Sequence, residues 1–188
     1  MQLIQEQLDL GKQILFLLPE IALTTQLIQR LSAYFGEQIG VYHSRFNQNE
    51  RVEIWNHVLN NDPNRYRIIL GARSALFLPF SNLGLIVVDE EHENSYKQFE
   101  KRPHYNGRDA ALYLAKLCKA NIVLGSATPS FESLYAVEQN TMLEVRLENR
   151  FKALKSLNIE LVKPPEGNKN KTSIFSAPLL ESMDYSLK

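Results

Sequence analysis

The residues most able to do chemistry are Asp89-Glu90-Glu91-His92, directly after the branched aliphatics Leu85-Ile86-Val87-Val88. The four aliphatics predict a strand buried on both faces. Three carboxylates where such a strand emerges repel one another and resist desolvation, so folding alone does not require them there. In an open α/β sheet, ligands bind at the carboxyl ends of the strands. Carboxylates at that place suit a divalent cation and an attacking water, as nucleotide hydrolysis needs. The plainer alternative is a strand that runs into a solvated acidic loop.

The elements that must position these groups are legible on either side. Apolar runs at 14–18, 39–42, 67–71 and 122–124 predict four further strands. They end in Pro19-Glu20, His43-Ser44, Gly71-Ala72-Arg73-Ser74 and Gly125-Ser126-Ala127-Thr128-Pro129. Helical spacing separates them: Leu3, Ile4, Leu8 and Leu10; then Leu27, Ile28, Leu31, Tyr34 and Phe35; then Ile54, Trp55, Val58 and Leu59; then residues 110–120. Strands alternating with helices predict an α/β fold with a mostly parallel sheet and flanking helices. In such a sheet all five polar endings lie along one edge and form one surface.

Local signals refine the elements. Asn47 with Glu50 has capping-box spacing, and Thr128 followed by Pro129 predicts a helix start with Thr128 as cap. Residues 94–107 read as a long loop, in which Tyr96, Lys97, Phe99, Lys101, Arg102, His104 and Tyr105 interleave aromatic and basic side chains. Such a loop can stack bases and neutralise phosphates. Residues 143–147 and 159–162 suggest one or two more strands. Residues 164–171 have linker composition, and Leu179, Leu180 and Met183 suggest a last helix. Residues 1–150 are expected to form one lobe, with 151–188 its end and a linker.

Bulk composition excludes several classes. The 188 residues are 44% hydrophobic, enough for one real core, and Lys plus Arg equals Asp plus Glu at 21 each. Net charge therefore gives no support for a nucleic-acid partner, although clustering of charge decides that question. The single cysteine, Cys118, leaves no internal disulfide and no cysteine-rich zinc site, and it fits a reducing, cytoplasmic setting. No apolar run reaches membrane-spanning length. His43, His57 and His104 are not spaced as metal ligands.

The order Pro19-Glu20-Ile21-Ala22-Leu23-Thr24, Gly71-Ala72-Arg73-Ser74-Ala75-Leu76-Phe77, Asp89-Glu90-Glu91-His92 and Gly125-Ser126-Ala127-Thr128-Pro129 resembles a superfamily 2 helicase. The Ser95-Tyr96-Lys97-Gln98 extension is similar to the primosomal replication-restart branch of that superfamily. The resemblance runs from about residue 10 to residue 163. It implies a RecA-like lobe of a phosphate-loop NTPase and an ATP-dependent 3′-to-5′ DNA helicase with ATP and magnesium as cofactors. Implied partners are single-stranded or forked DNA and the replication-restart and primosome proteins, with no membrane.

The resemblance also assigns roles. Asp89 would hold magnesium, through water, and Glu90 would orient and deprotonate the attacking water. His92, Ser126 and Thr128 would couple hydrolysis to movement. Thr24, Arg73 and Ser74 match positions that contact the DNA backbone. The loop with Tyr96, Lys97, Phe99, Arg102 and Tyr105 would sense single-stranded DNA.

One part is missing. The phosphate loop Gly-x-x-x-x-Gly-Lys-Ser/Thr does not occur; the one Gly-Lys pair, Gly11-Lys12, is followed by Gln13, and Glu6 stands where the first glycine should be. The resemblance puts that loop and its strand upstream of Met1, with residues 1–10 the second half of the helix it opens. The sheet is therefore expected to lack a central strand and to expose a groove there. The C-terminus likewise reads as cut. A fragment of a motor lobe, inactive alone, is thus expected. The alternatives are a stand-alone, ATPase-dead domain that binds nucleic acid or a partner, and a metal-dependent hydrolase using Asp89, Glu90 and His92.

Overall fold

The computed structural model describes residues 1–19, 25–42, 47–99, 102–147, 175 and 177–186. The chain divides into two compact units, Met1–Leu143 and Glu144–Lys188.

The first unit is built on β1 (Gln13–Leu17), β2 (Ile39–Tyr42), β3 (Ile68–Gly71), β4 (Leu83–Val88) and β5 (Asn121–Leu124). These pair as one parallel sheet in the order β2-β3-β1-β4-β5. The α/β expectation holds, with one correction. The sheet has no central gap: β1 is hydrogen-bonded on both sides, with Leu15 in register with Ile69 of β3 and Ile86 of β4. At the opposite margin from β2 lies β5, which pairs on one side only among the described residues and leaves Val123 39% exposed.

Helices cover both faces because each offers one apolar stripe. One face carries α1 (Gln2–Asp9) and α2 (Thr25–Phe35), whose Ile4, Leu8, Leu31 and Phe35 pack on Ile14, Ile39, Ile68, Leu70 and Leu85. On the other lie α3 (Gln48–Asn60) and α4 (Gly107–Cys118), with Ile54, Val58, Ala111 and Ala115 against Leu15, Leu17, Ile69, Ile86 and Val88. Residues such as Leu15, Ile69 and Ile86 are fully buried, each burial contributing about 1.5–3 kcal/mol. Cys118 packs against the same cluster and stays partly exposed.

The capping box of α3 forms as expected: Glu50 N donates to Asn47 Oδ1 and Asn47 N to Glu50 Oε2, both at 3.0 Å. Only one stripe of α3 reaches the sheet, however. Trp55 and Leu59 are 43% and 49% exposed, because each lies about 100° around the helix from buried Ile54 and Val58.

Two other expectations change. Helix α4 starts earlier than residue 110, because Asn106 caps it by accepting from Arg108 N at 2.9 Å. Helix α5 (Phe131–Glu138) is capped by Ser130, whose Oγ accepts from Ser133 N at 3.2 Å. Thr128 is therefore not the cap; its own N–H donates to Ser126 Oγ at 3.0 Å. Residues 143–147 form no strand, and Leu143, Val145 and Leu147 are exposed. The second unit contains α6 (Ala177–Ser186), in line with the helix expected there. The suggested strand at 159–162 and the linker at 164–171 lie outside the described residues.

Candidate active site

Parallel pairing puts the strand ends on one edge, and main-chain bonds fasten them there. Asp89 N donates to Leu17 O at 3.0 Å, Leu18 N to Gly71 O at 2.9 Å and Gly125 N to Val88 O at 2.8 Å. Asp89 thus leaves β4 between the ends of β1 and β5. Gly125 suits this spot, because a Cβ there would stand 3.4 Å from Asp89 Oδ1.

Glu90 lies one residue farther out. Its φ is +48°, in the left-handed region, and its side chain is 47% exposed. Its N–H donates to Asp89 Oδ1 at 3.1 Å and its carbonyl accepts from Glu93 N at 2.8 Å. Glu90 is one of five non-glycine residues at positive φ among the described residues, a conformation that stores backbone strain. The turn points the Glu90 carboxylate outward while Asp89 stays partly shielded.

His92 spans the gap from β4 to the turn after β5. Its Nδ1 lies 2.7 Å from Ser126 Oγ, and its Nε2 lies 3.3 Å from Thr128 Oγ1. Glu90 Oε2 is 3.7 Å from the same Nδ1. One imidazole therefore meets both hydroxyls expected to work with it, with the Glu90 carboxylate close by.

Glu91, the third acid, had no role in the sequence reading. The structure buries it at 3% exposure, beside Arg108 at 5%. Arg108 Nη1 donates to Glu91 Oε2 at 3.1 Å, and Ser130 N donates to Glu91 Oε1 at 2.7 Å. Burial alone would raise the Glu91 pKa. The Ser130 N–H, the Arg108 guanidinium and the Ser130 and Ser133 hydroxyls outweigh it and hold the carboxyl below its ordinary range. Glu91, Arg108 and Ser130 are the residues the sequence reading missed. The available signal was a third carboxylate in a row with only two catalytic tasks to share.

The aromatic and basic loop is attached to this edge. Tyr96 is 1% exposed, and its hydroxyl donates to Asp89 O at 2.8 Å. Burial and then the charges of Asp89, Glu90 and Glu93 raise its pKa, so it remains a neutral donor. Its ring is packed in the core, so Tyr96 cannot offer a face to a base, contrary to expectation. Arg73 Nη1 donates to Ser95 O and Lys97 O, both at 2.9 Å, so part of its guanidinium holds the loop. Ser74, next to it, is partly exposed. Lys97, Phe99 and Arg102 are exposed, and Tyr105 is partly exposed with its ring edge-on to Phe77 at 5.5 Å. Thr24 and Lys101 lie outside the described residues.

The donor set can be tested against the implied cofactors. No group of three or more His, Cys, Asp or Glu side chains that could hold a metal occurs among the described residues. A magnesium ion that keeps several waters and uses one or two carboxylates plus nucleotide phosphates needs no such cage. Asp89, with Glu90 beside it, fits that mode of binding.

A model of the DEAD/DEAH box helicase family matches residues 1–137. The chain belongs to the DEAD/DEAH box helicase family. This helicase chain is 42% identical over 180 residues to the replication restart protein PriA of Chlamydia pneumoniae, covering 95% of the chain and 24% of that protein. It is 40% identical over 185 residues to PriA of Rickettsia felis, covering 98% of the chain and 28% of the relative. With PriA of Bacillus subtilis it shares 36% identity over 188 residues, covering 100% and 23%. The resemblance to the replication-restart branch is borne out. The helicase chain spans about a quarter of the length of these curated relatives. Among its described residues, no helix is long and apolar enough to cross a membrane.

Proposed function

We propose that this chain supplies the magnesium-and-water half of the ATP site of a 3′-to-5′ DNA helicase that acts in replication restart, together with part of its single-stranded DNA path. The observation that carries the reading is the meeting of Asp89, Glu90 and His92 with Ser126 and Thr128 at one sheet edge.

In this reading Asp89 is the residue that would hold a magnesium ion, through water, beside the phosphates of ATP. The ion, when bound, neutralises the charge that develops on the transferred phosphoryl group. Glu90 stands exposed beside it, free to accept a proton from a water held over the phosphate. A positioned general base of this kind contributes roughly 10²–10⁴-fold in rate. His92 meets the turn carrying Ser126 and Thr128, with Glu90 close by, so a change at the water is felt at the next strand end.

The DNA half of the reading rests on Lys97, Phe99, Arg102 and Tyr105 as exposed or partly exposed contacts, with Arg73, Ser74 and Thr24 toward the backbone phosphates. Tyr96 acts there as the loop's anchor on Asp89. Partners of the whole protein would be forked or single-stranded DNA and primosome proteins, in a cytoplasmic setting.

Phosphate holding needs amides and a lysine that these residues do not supply. Residues 1–188 alone are therefore expected to bind ATP weakly and to release no phosphate at a useful rate. DNA-stimulated phosphate release from the purified chain, abolished by Glu90→Gln, would overturn that part. A second reading is an ATPase-dead domain that binds nucleic acid or a partner. Flanking DNA discriminates: an in-frame Gly-rich Gly-Lys-Thr segment before Met1 supports the motor, whereas a promoter and ribosome site there support the stand-alone domain.

A further inference from the structure

The turn from Gly125 to Ser130 carries both hydroxyls that meet His92, and one residue holds its two ends. Glu91 N donates to Gly125 O at 3.0 Å, at the start of the turn. The Glu91 carboxylate accepts from Ser130 N at 2.7 Å and lies 2.9 Å from Ser130 Oγ, at its finish. Main chain and side chain of a single residue thus span the turn, and His92, the next residue, docks at its middle.

Arg108 completes the arrangement from α4. Its Nη1 donates to Glu91 Oε2 at 3.1 Å and to Ser130 Oγ at 2.6 Å, while its Nε donates to Asp109 Oδ1 at 2.9 Å. Glu132 Oε2 adds a more distant contact to Nη1 at 3.6 Å. The Glu91 and Arg108 side chains are 2% and 6% exposed, so water does not compete for the bond between them. A buried pair whose carboxylate accepts three hydrogen bonds fixes geometry, and removing one partner strands the other.

We propose that Glu91 is a positioning residue: clamped by Arg108 and Ser130, it sets the shape of the Gly125–Ser130 turn and thereby the contacts of His92 with Ser126 and Thr128. The proposal rests on the reading of those three residues as the coupling set. Arg108 belongs to the first turn of α4, where the aromatic and basic loop ends, so the clamp also fixes the loop's far end to the same point. Ordinary capping of α5 accounts for the Ser133 bond to Ser130. It does not account for a buried glutamate that grips both ends of a turn.

The test uses the 188-residue chain labelled with ¹⁵N-histidine, without nucleotide. Side-chain resonances of His92 are compared in the unmodified chain, Glu91→Gln, Ser130→Ala and Ser126→Ala. The Ser126→Ala variant removes the His92 partner directly and supplies the reference shift. His57, whose Nδ1 lies 3.0 Å from Asp62 Oδ2 far along the chain, reports whether the fold survives. The expected result is that Glu91→Gln moves the His92 resonances to the Ser126→Ala positions while those of His57 stay. Ser130→Ala, which keeps the backbone N–H, gives a smaller shift in the same direction and serves as the test if Glu91→Gln does not fold. Unmoved His92 resonances in either variant, with those of His57 native, would overturn the proposal. Because no ATP is present, that result leaves the assignment of Asp89 and Glu90 untouched.

Discussion

The hydroxyl of Tyr96 donates to the backbone carbonyl of Asp89 at 2.8 Å, joining the aromatic and basic loop to the residue proposed to hold magnesium. The ring behind that hydroxyl is buried with Leu17, Val88 and Ala111. Tyr96→Phe keeps the packing and removes one hydrogen bond, so it should lower stability by about 0.5–1.5 kcal/mol. Tyr96→Ala also leaves a cavity and should cost about 3–5 kcal/mol. Urea unfolding measures both. A surface residue that stacked on bases would instead show a loss of DNA affinity with stability nearly unchanged.

Arg73 is expected to act first on the loop. Replacing it with alanine removes the donor shared by the Ser95 and Lys97 carbonyls, so amide exchange at Lys97 and Gln98 should quicken. Hydrogen exchange followed by mass spectrometry reads this. If Arg73 serves only as a phosphate contact, exchange is unchanged and the salt slope of DNA binding falls by about 1.

The Glu91 carboxyl sits below its ordinary value of 4.5 in the folded chain. A carboxyl depressed by folding stabilises the native state above its unfolded pKa, and that contribution is lost as pH falls through the folded value. Unfolding free energy should therefore decline as the pH drops below about 4.5. Glu91→Gln should be less stable than the unmodified chain at neutral pH and should show a shallower acid slope. Equal slopes in the two proteins would place the acid sensitivity elsewhere.

Much of this was legible in the sequence because it depended on neighbours. Five strands declared themselves as apolar runs, and the Asn47–Glu50 capping box is a spacing of three residues. The His92 contact with Ser126 followed from parallel pairing, which sets β4 beside β5. What escaped depended on distant partners. Tyr96 reads as one more aromatic in a polar loop until its ring is placed under Asp89. Glu91 reads as a spare acid until Arg108, 17 residues later, meets it. Thr128 looked like the cap because Pro129 follows it, yet Ser130 is the hydroxyl aligned with the first turn of α5. The central gap was expected because the missing phosphate-loop strand was placed inside the sheet, and β1 occupies that centre.

Exposed Lys97, Phe99 and Arg102 should give the isolated chain measurable affinity for single-stranded DNA at low salt. Counterion release predicts that log affinity falls linearly with log salt, by about 0.7 per phosphate contacted. Fluorescence anisotropy across salt concentrations measures the slope. No binding at the lowest salt would defeat the DNA half of the account.

The central claim is that the β4 end is a centre for ATP hydrolysis driven by Glu90. Its most direct test is phosphate release by the longest protein encoded in the reading frame around residues 1–188, with and without single-stranded DNA. The account predicts DNA-stimulated release that drops roughly 10²–10⁴-fold in Glu90→Gln with folding intact. Release that survives Glu90→Gln, or none from that longest form, would contradict it.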